Sequence, residues 1–395
     1  MVEEVLFSIT KENLETGLRG YPTGYCPTSY VHPDKGLYYS GMAVDKLTDL
    51  SLEEVIYLLL YARKPTAEER TNFLHDLKKR SQIHPDVLAH IKTFPRNGSP
   101  LKLFACALLM QKMLSTREGD NWGQNGWEDC LDIVAKAPLL AGAVMAHSAG
   151  WIGHAPQLQD GYIERFIYSM HLPFLPSHDL KEALRLFFML HFDHGGGNLS
   201  TFVGKAVASG LEDMYGSLAS AMLALEGPRH GRANQDALEL LSDVQNNVGM
   251  TPSDDELKNY LRKRLSEGKL IFGFGHAVLR VEDPRASLFY GFAERHFAAN
   301  QLVQLALQLR KAASDVLQET GKVSDPYANV DAISGVVLIA AGFDYPQFFP
   351  LLFGASRCVG IARQIIYERL EARGGKGTPI VRPQYLYLHD PQFSG

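Results

Sequence analysis

The sequence has few cysteines and none that are clustered. Its 395 residues include four cysteines, with no Cys-x-x-Cys pair, so neither a zinc site nor a disulfide framework is indicated. We therefore expect a reducing, cytoplasmic environment and no bound metal. The N-terminal segment MVEEVLFSITKENLETG is acidic and lacks the pattern of a targeting peptide. The longest apolar runs, such as 138–145, are well short of a membrane span.

A surplus of positive charge is also missing. The formal net charge is −5, which disfavours a nucleic-acid-binding protein because such proteins usually carry a basic surplus. A local cluster of arginines can still bind a small anion within an acidic chain. The composition is 46% hydrophobic and 21% charged, as in ordinary globular proteins, and the length suits two domains or one large domain with an inserted lobe.

Alternating strand patterns are scarce, whereas helix signals are frequent. Short extended segments are indicated only at 20–30 and 36–42. Three Ser or Thr residues precede a glutamate by three positions and an apolar stretch follows, as at the start of a capped helix: Ser51, Thr66 and Ser253. The sequence therefore predicts a mainly α-helical fold without a βαβ series.

Polar, titratable residues interrupt the apolar helices at four places. The first segment, 191–200, reads HFDHGGGNLS, and its three consecutive glycines allow close approach of a ligand or a helix. A glycine-capped helix end is the simpler interpretation of this segment alone. His191 and His194 form a His-x-x-His pair, which is only a weak metal-site signal because no third ligand is evident.

The second segment, 226–234, reads EGPRHGRAN. His230 lies in a tight turn before a predicted helix, where the helix dipole disfavours a charged imidazole. A neutral imidazole can donate a hydrogen bond to a developing enolate. The alternative, which this segment alone favours, is a turn histidine that bonds only to the backbone.

The third segment reads FGFGHAVLR and is followed by Asp-Pro-Arg. Gly273 and Gly275 alternate with aromatic residues and would leave backbone N–H groups open to an anion. His276 follows at once, and Arg280 and Arg285 come shortly after. A histidine and two arginines beside such a loop favour an anionic ligand over a plain connection.

The fourth segment places Asp331 at the start of the apolar run 333–341. The default interpretation is a helix N-cap, although a carboxylate among apolar residues can also have a raised pKa and act as a base. Arg357 and Arg382 stand in apolar settings. Such arginines often hold carboxylates in a bidentate manner, and structural ion pairs are the alternative.

Taken together and in this order, these segments resemble the citrate synthase family, from about Gly17 to Pro383. The resemblance implies an all-helical two-domain fold, with a large domain from 1–231 and 343–395, a small lobe from 232–342 and the active site in the cleft between them. It implies condensation of acetyl-CoA with oxaloacetate, followed by hydrolysis of the CoA thioester to citrate and CoA. No cofactor, nucleic acid or membrane is implied.

The resemblance also implies roles for individual residues. His230 would bond to the thioester carbonyl, Asp331 would remove the neighbouring proton, and His276 would polarise the ketone of oxaloacetate. The carboxylates of the oxo acid would be held by His194, Arg285, Arg357 and Arg382, the last contributed by the partner subunit of a homodimer. CoA would contact Arg280, Lys322 and the loop that contains Gly273 and Gly275.

Three residues depart from the usual family pattern: Ser40, Arg229 and Arg232. The shared motifs also leave other functions open. A 2-methylcitrate synthase would use propionyl-CoA on the same scaffold, and one methylene changes discrimination by only about 1–3 kcal/mol. A non-catalytic CoA- or carboxylate-binding homologue is a second alternative, since a fold alone does not fix activity. A metallohydrolase built on His191 and His194 is a third.

Overall fold

The computed structural model describes residues 5–115, 122–153, 161–321, 323 and 325–387. These residues contain fifteen α-helices and one small antiparallel sheet of three strands. The mainly α-helical prediction is therefore confirmed, and both segments predicted to be extended contribute strands.

The helices and strands have the following bounds: β1 Ser29–His32, β2 Gly36–Tyr39, β3 Met42–Ala43, α1 Leu52–Tyr61, α2 Ala67–Arg80, α3 Pro85–Ile91, α4 Pro100–Met113, α5 Trp122–Ala149, α6 Tyr162–Ser169, α7 His178–His191, α8 Leu199–Ser209, α9 Met214–Leu225, α10 Ala233–Val248, α11 Asp254–Ser266, α12 Pro284–Phe297, α13 Gln301–Thr320, α14 Asp331–Ala340 and α15 Phe349–Ile366. A π-helical turn, Tyr367–Glu371, extends α15.

The three predicted capping boxes open helices α1, α2 and α11. In each, the Ser or Thr side chain accepts the N–H of the glutamate three residues later, and that glutamate accepts the N–H of the cap residue. Each box satisfies N–H groups that a helix start otherwise leaves without partners. Local side-chain chemistry therefore fixes where these helices begin.

Helix α5 forms the centre of one helical group and packs against α2, α4, α6 and α15. Its segment Asn125–Ala149 is long and apolar enough to cross a membrane, but 72% of its most apolar window is buried inside the fold. The apolar character of this helix is thus explained by its place in the protein core.

Helices α10 to α14 form a second group and pack largely on one another. Contacts join α10 to α14, α11 to α13, and α12 to α14, while α12 and α14 also contact α7 of the first group. The two groups meet at α7, and the residues that line one polar cleft come from both sides of this junction.

The small sheet braces the end of α7. Strands β1 and β2 pair with Ser29 opposite Tyr39, which turns both side chains inward; Ser29 is 6% exposed and Tyr39 is fully buried. The Tyr39 hydroxyl lies 3.1 Å from the carbonyl oxygens of both Met189 and Asp193. The N-terminal hairpin therefore contacts the loop that begins the first polar segment.

Candidate active site

Six of the predicted site residues line one cavity of about 180 Å³ at the junction of the two helical groups. They come from the four polar segments and from α15, and they are separated by up to 163 positions in sequence (357 − 194). The cavity wall also includes aromatic rings, so it is mixed in polarity. The six residues are His194, His230, His276, Arg285, Asp331 and Arg357.

His230 lies in the turn between α9 and α10, and its ring is directed to the start of α8. The backbone N–H of Ser200 donates to its Nε2 at 3.2 Å, and the Ser200 hydroxyl is 2.9 Å from the same atom. Because Nε2 accepts, the ring proton is on Nδ1. Burial and the nearby Arg357 lower the pKa of His230 to about 4. The ring is therefore neutral at pH 7. Burial, rather than the predicted dipole of the following helix, is therefore the main reason that this ring is neutral.

His276 has the opposite arrangement of ring nitrogens. Its Nδ1 accepts the N–H groups of Val278 and Leu279, each at 3.0 Å, so the ring proton is on Nε2. Burial, followed by the charge of Arg285, lowers the pKa of His276 to about 4. Its ring centroid lies 5.4 Å from that of His194 in an edge-on arrangement. His276 thus presents a neutral donor within the cavity.

Asp331 is the first residue of α14, and the N-cap position belongs to Val330. The default N-cap interpretation is therefore wrong, because the carboxylate makes no capping bond. No hydrogen bond to this carboxylate is found among the described residues. Burial raises the pKa of Asp331 to about 6, although the charge of Arg285 opposes the rise. Such a carboxylate is suited to act as a base near neutral pH.

Two buried arginines supply positive charge to the cavity. Arg285 is 5% exposed and pairs with Asp283 through Nε–Oδ1 at 3.0 Å and Nη2–Oδ2 at 2.7 Å. Arg357 is 2% exposed; its Nε donates to the His191 carbonyl at 2.9 Å, and its guanidinium lies 4.6 Å from the Phe353 ring centroid. Each guanidinium uses only some of its five donors in these bonds, which leaves others for an anionic ligand.

The two glycines of the third segment join it to the start of α14. Gly273 has φ +84°, and a Cβ there would lie 2.8 Å from the Cα of Ala332. Its carbonyl accepts the Asn329 N–H at 2.9 Å, and the Gly275 N–H donates to the Tyr327 carbonyl at 2.9 Å. The prediction that the Gly275 N–H is open to an anion is therefore wrong. Their predicted contact with CoA stays a prediction.

We expect Gly273→Ala to reduce both stability and kcat, because the new methyl group would push on the helix start that carries Asp331. Left-handed backbone costs an L-residue about 1–2 kcal/mol, and the steric clash adds to this. Gly268→Ala is the matched control, since Gly268 has φ +73° and a Cβ there would meet no atom within 4 Å. Urea unfolding and steady-state rates compare the two variants; equal effects would contradict the steric argument.

The predicted ligand-binding side chains of Arg280 and Arg382 are not among those that line the cavity. Arg280 is exposed, and its Nη1 donates to the carbonyls of Val278 and Leu279 at 3.0 and 2.6 Å. Arg382 lies in the exposed extended tail after the π-helical turn. Lys322 lies outside the described residues. Their proposed roles therefore depend on a bound CoA or on a second subunit.

His191 is held by the protein itself. Its Nδ1 donates to the Phe187 carbonyl at 2.7 Å, its ring stacks on that of Phe187 at 4.2 Å, and burial lowers its pKa to about 3. Within the described ranges, no group of three or more His, Cys, Asp or Glu side chains is placed to hold a metal ion. The His-x-x-His pair is thus explained without a metal.

The residues that depart from the family pattern lie outside the cavity wall. Arg229 is exposed beside His230. Arg232 forms ion pairs with Asp236 and Glu239 on α10. The Ser40 hydroxyl donates to a backbone carbonyl of α1 at 3.1 Å. None of the three therefore brings a charge into the cavity.

Sequence reasoning missed the residues that orient the two histidines and the loop before α8. Ser200 holds His230, while Asn198 caps α8 by accepting the Thr201 N–H. Phe353 forms an edge-on contact with His230 at 6.3 Å. The Asn-x-Ser spacing just before an apolar helix is an N-cap signal, and it could have located the start of α8 although not its contact with a distant histidine.

A carboxylate with a raised pKa, two neutral imidazoles and two buried arginines share one cleft in an all-helical fold. Groups of these types can move a proton next to a carbonyl group and bind anionic substrates. The family model of the citrate synthase C-terminal domain matches residues 17–384. The chain belongs to the citrate synthase family, whose members are acyltransferases.

Individual relatives agree with this family. The chain is 32% identical to citrate synthase 4, mitochondrial, of Arabidopsis thaliana over 403 residues, which cover 97% of this chain and 83% of that protein. Its sequence is 25% identical to that of citrate synthase from Thermotoga maritima. The crystal structure of that protein matches with a TM-score of 0.79 over 95% of this chain and 96% of that one. The resemblance and the predicted fold are thus confirmed.

A further solved structure bears on the fold alone. The citrate synthase of Thermoplasma acidophilum, solved as a ternary complex with carboxymethyl coenzyme A and oxaloacetate, is 24% identical with a TM-score of 0.82, over 95% of this chain and 96% of that one.

The Arabidopsis relative is named mitochondrial. The predicted cytoplasmic location therefore gains no support from that relative and stays a prediction.

Proposed function

We propose that this protein condenses acetyl-CoA with oxaloacetate and then hydrolyses the CoA thioester, which yields citrate and CoA. The observation that supports this most strongly is the presence of Asp331, His230 and His276 in one cavity. The carboxylate is the proton acceptor, and both imidazoles are neutral donors at pH 7. This is the set of groups that a carbon–carbon condensation through an enol requires.

In the first step, the Asp331 carboxylate takes a proton from the carbon beside the thioester carbonyl. That proton is only weakly acidic, so a base alone is insufficient. The Nδ1–H of His230 donates to the thioester oxygen as negative charge develops there. Because His230 is neutral and its Nε2 is held by Ser200, the donor is oriented before the reaction begins.

In the second step, the enol carbon attacks the ketone carbon of oxaloacetate. The Nε2–H of His276 donates to the ketone oxygen and transfers its proton to the alkoxide that forms. Arg285, Arg357 and His194 offset and orient the two carboxylates of the oxo acid. The product of this step is citryl-CoA, in which the thioester is still intact.

In the last step, water adds to the thioester carbonyl and returns a proton to Nε2 of His276, while Asp331 gives its proton to the departing CoA thiolate. The new carboxylic acid ionises, and loss of the thioester makes the overall reaction irreversible. Water has to be kept out until then, and closure of a lobe over the cleft is one general solution. The packing of α10 to α14 on one another supports a small lobe at about 232–342 that closes on the rest. The proposed steps require no metal or redox cofactor, because each proton transfer uses a side chain.

CoA would lie along the edge of this lobe. The exposed Arg280 and Lys322 are proposed to meet its phosphates, and the 272–278 loop its adenine end. We propose that the active form is a homodimer located in the cytoplasm. We also propose that it has no nucleic-acid or membrane partner.

A two-substrate assay tests the proposed reaction. Purified protein is mixed with oxaloacetate and either acetyl-CoA or propionyl-CoA, and free CoA thiol is measured. We expect thiol release that depends on oxaloacetate and is faster with acetyl-CoA. A strong preference for propionyl-CoA would assign the 2-methylcitrate reaction instead. Binding of CoA without any thiol release would identify a non-catalytic homologue.

We expect Arg382→Ala to raise the KM for oxaloacetate at least about tenfold, since an interaction of a charged group with a carboxylate is lost. Subunit mixing tests whether Arg382 acts across the dimer. A hybrid of one Arg382→Ala chain and one Asp331→Asn chain would contain one intact site if Arg382 serves the partner's cavity. With oxaloacetate held well below the raised KM of Arg382→Ala, recovered activity on mixing is therefore the expected outcome, and no recovery would contradict the shared site.

A further inference from the structure

The carboxylate of Asp193 is buried directly behind the cavity and takes no part in the steps above. The residue is 0% exposed. Its Oδ1 accepts a hydrogen bond from Gln364 Nε2 at 2.9 Å. Its Oδ2 accepts the hydroxyls of Thr28 and Ser29, the second at 2.7 Å. Burial raises the pKa of Asp193, and the hydrogen bonds donated by Thr28 and Ser29 oppose that rise because they favour the ionised carboxylate.

Three side chains hold the backbone on both sides of His194. Two of them, Ser29 and Gln364, also bond to the Asp193 carboxylate. The Tyr39 hydroxyl accepts the N–H of the preceding aspartate at 3.2 Å. The Ser29 hydroxyl accepts the Gly195 N–H at 2.6 Å, and the Gln364 amide donates to the Gly195 carbonyl at 3.1 Å. These contacts come from β1, β2 and α15, so distant parts of the chain meet at one loop.

The ring of His194 depends on this backbone for its direction. Its Nε2 is buried, and no hydrogen-bond partner is found for it among the described residues. The ring points to the cavity and lies beside that of His276. A ring without a side-chain partner of its own keeps its orientation only through packing and through the backbone that carries it.

Asp193 also interacts electrostatically with Arg357, another proposed ligand of the oxo acid. Burial lowers the pKa of Arg357 to about 10, and the charge of Asp193 is the largest influence that opposes this and favours the charged guanidinium. The Arg357 side chain is itself buried and lines the cavity. One carboxylate thus supports two groups that the proposed function assigns to the same substrate.

We infer that Asp193 is a positioning residue for the oxo acid: it fixes the loop of His194 and balances the charge of Arg357 from behind the cavity. This inference rests on the proposed function, because it assigns a role in binding oxaloacetate. It predicts that loss of the Asp193 charge weakens binding of the oxo acid much more than binding of the acyl-CoA.

The test variant is Asp193→Asn, which preserves shape and removes the charge. The control is Asp129→Asn, which removes another buried carboxylate, one that is 6% exposed and pairs with Lys112 at 2.9 Å away from the cavity. We expect Asp193→Asn to raise the KM for oxaloacetate about tenfold or more, and the KM for acetyl-CoA by less than about twofold. The control is expected to leave the ratio of the two KM values unchanged.

A second readout does not depend on turnover. Saturating oxaloacetate alone raises the Tm of a protein that binds it, and we expect this rise to shrink in Asp193→Asn and to persist in Asp129→Asn. A merely structural role for Asp193 would lower the Tm without ligand and leave both the Tm rise and the KM ratio intact. That result would overturn the inference.

Thr28 provides a milder pair of variants if Asp193→Asn does not fold. Thr28→Ser keeps the hydroxyl that donates to Asp193, and Thr28→Val removes it at similar volume. We expect the serine variant to match the original protein and the valine variant to show the selective rise in oxaloacetate KM; identical KM values in both would contradict the inference. Failure of the unaltered protein to release thiol with oxaloacetate would instead refute the proposed function.

Discussion

Asp331→Asn is expected to lower kcat by about 10³-fold, because general-base catalysis contributes about 10²–10⁴-fold and an amide cannot accept the proton. The change is nearly isosteric, and the Asp331 carboxylate bonds to none of the described side chains, so the helix start should be little disturbed. Binding of oxaloacetate should change by less than about threefold. Pre-steady-state and steady-state rates measure the first effect, and the oxaloacetate-dependent rise in Tm measures the second.

The pH dependence of the unaltered protein supplies an independent check on the same residue. The base is active when ionised, and burial raises the pKa of Asp331 to about 6. Activity should therefore fall as pH drops through about 6. The pKa values of His230 and His276 are lowered to about 4. Both rings are therefore still neutral at pH 6, so their protonation does not cause this fall in activity. Near-normal activity in Asp331→Asn would show that another group is the base.

The sequence predicts the local features of this fold well, because they depend on neighbouring residues. The capping boxes at Ser51, Thr66 and Ser253 begin helices where expected. Each of these features is decided by side chains three or four positions apart.

The convergence of the site was predictable only through the family resemblance. No single segment indicates that Asp331 and His230 line the same cavity, since each has an adequate local explanation as a cap or a turn. The N-cap interpretation of Asp331 failed because the preceding Asn329 side chain accepts the Asp331 N–H at 3.0 Å, and the carboxylate is left to the cavity. Four such segments in a fixed order carry information that one segment lacks.

The contacts that tune the site were not predictable from sequence patterns. Gly275 was expected to leave its N–H open, but an isolated bridge between Phe274 and Ala328 uses it. The contact of His230 with Ser200 joins residues 30 positions apart. The buried hydrogen bonds of the Asp193 carboxylate reach residues 164 to 171 positions away. Such pairings depend on tertiary packing, which no local periodicity encodes.

The opposite tautomers of the two catalytic histidines give the second large prediction. A glutamine places its amide N–H near the position of imidazole Nε2, whereas an asparagine places it near Nδ1. His230 donates from Nδ1 because Ser200 holds its Nε2, so His230→Asn should retain more activity than His230→Gln. His276 donates from Nε2 because two backbone N–H groups hold its Nδ1, so His276→Gln should retain more than His276→Asn.

The magnitude follows from the loss of an oriented donor, which typically reduces kcat by about 10²–10³-fold. We expect a loss of that size in His230→Gln and His276→Asn, and a smaller loss in each of the other two variants. His276 also has to transfer a proton, which no amide can do, so both His276 variants should remain slower than His230→Asn. The four kcat values at pH 8, where Asp331 is ionised, measure this order. The same rank order of Asn and Gln at both positions would show that the two rings do not donate from opposite nitrogens.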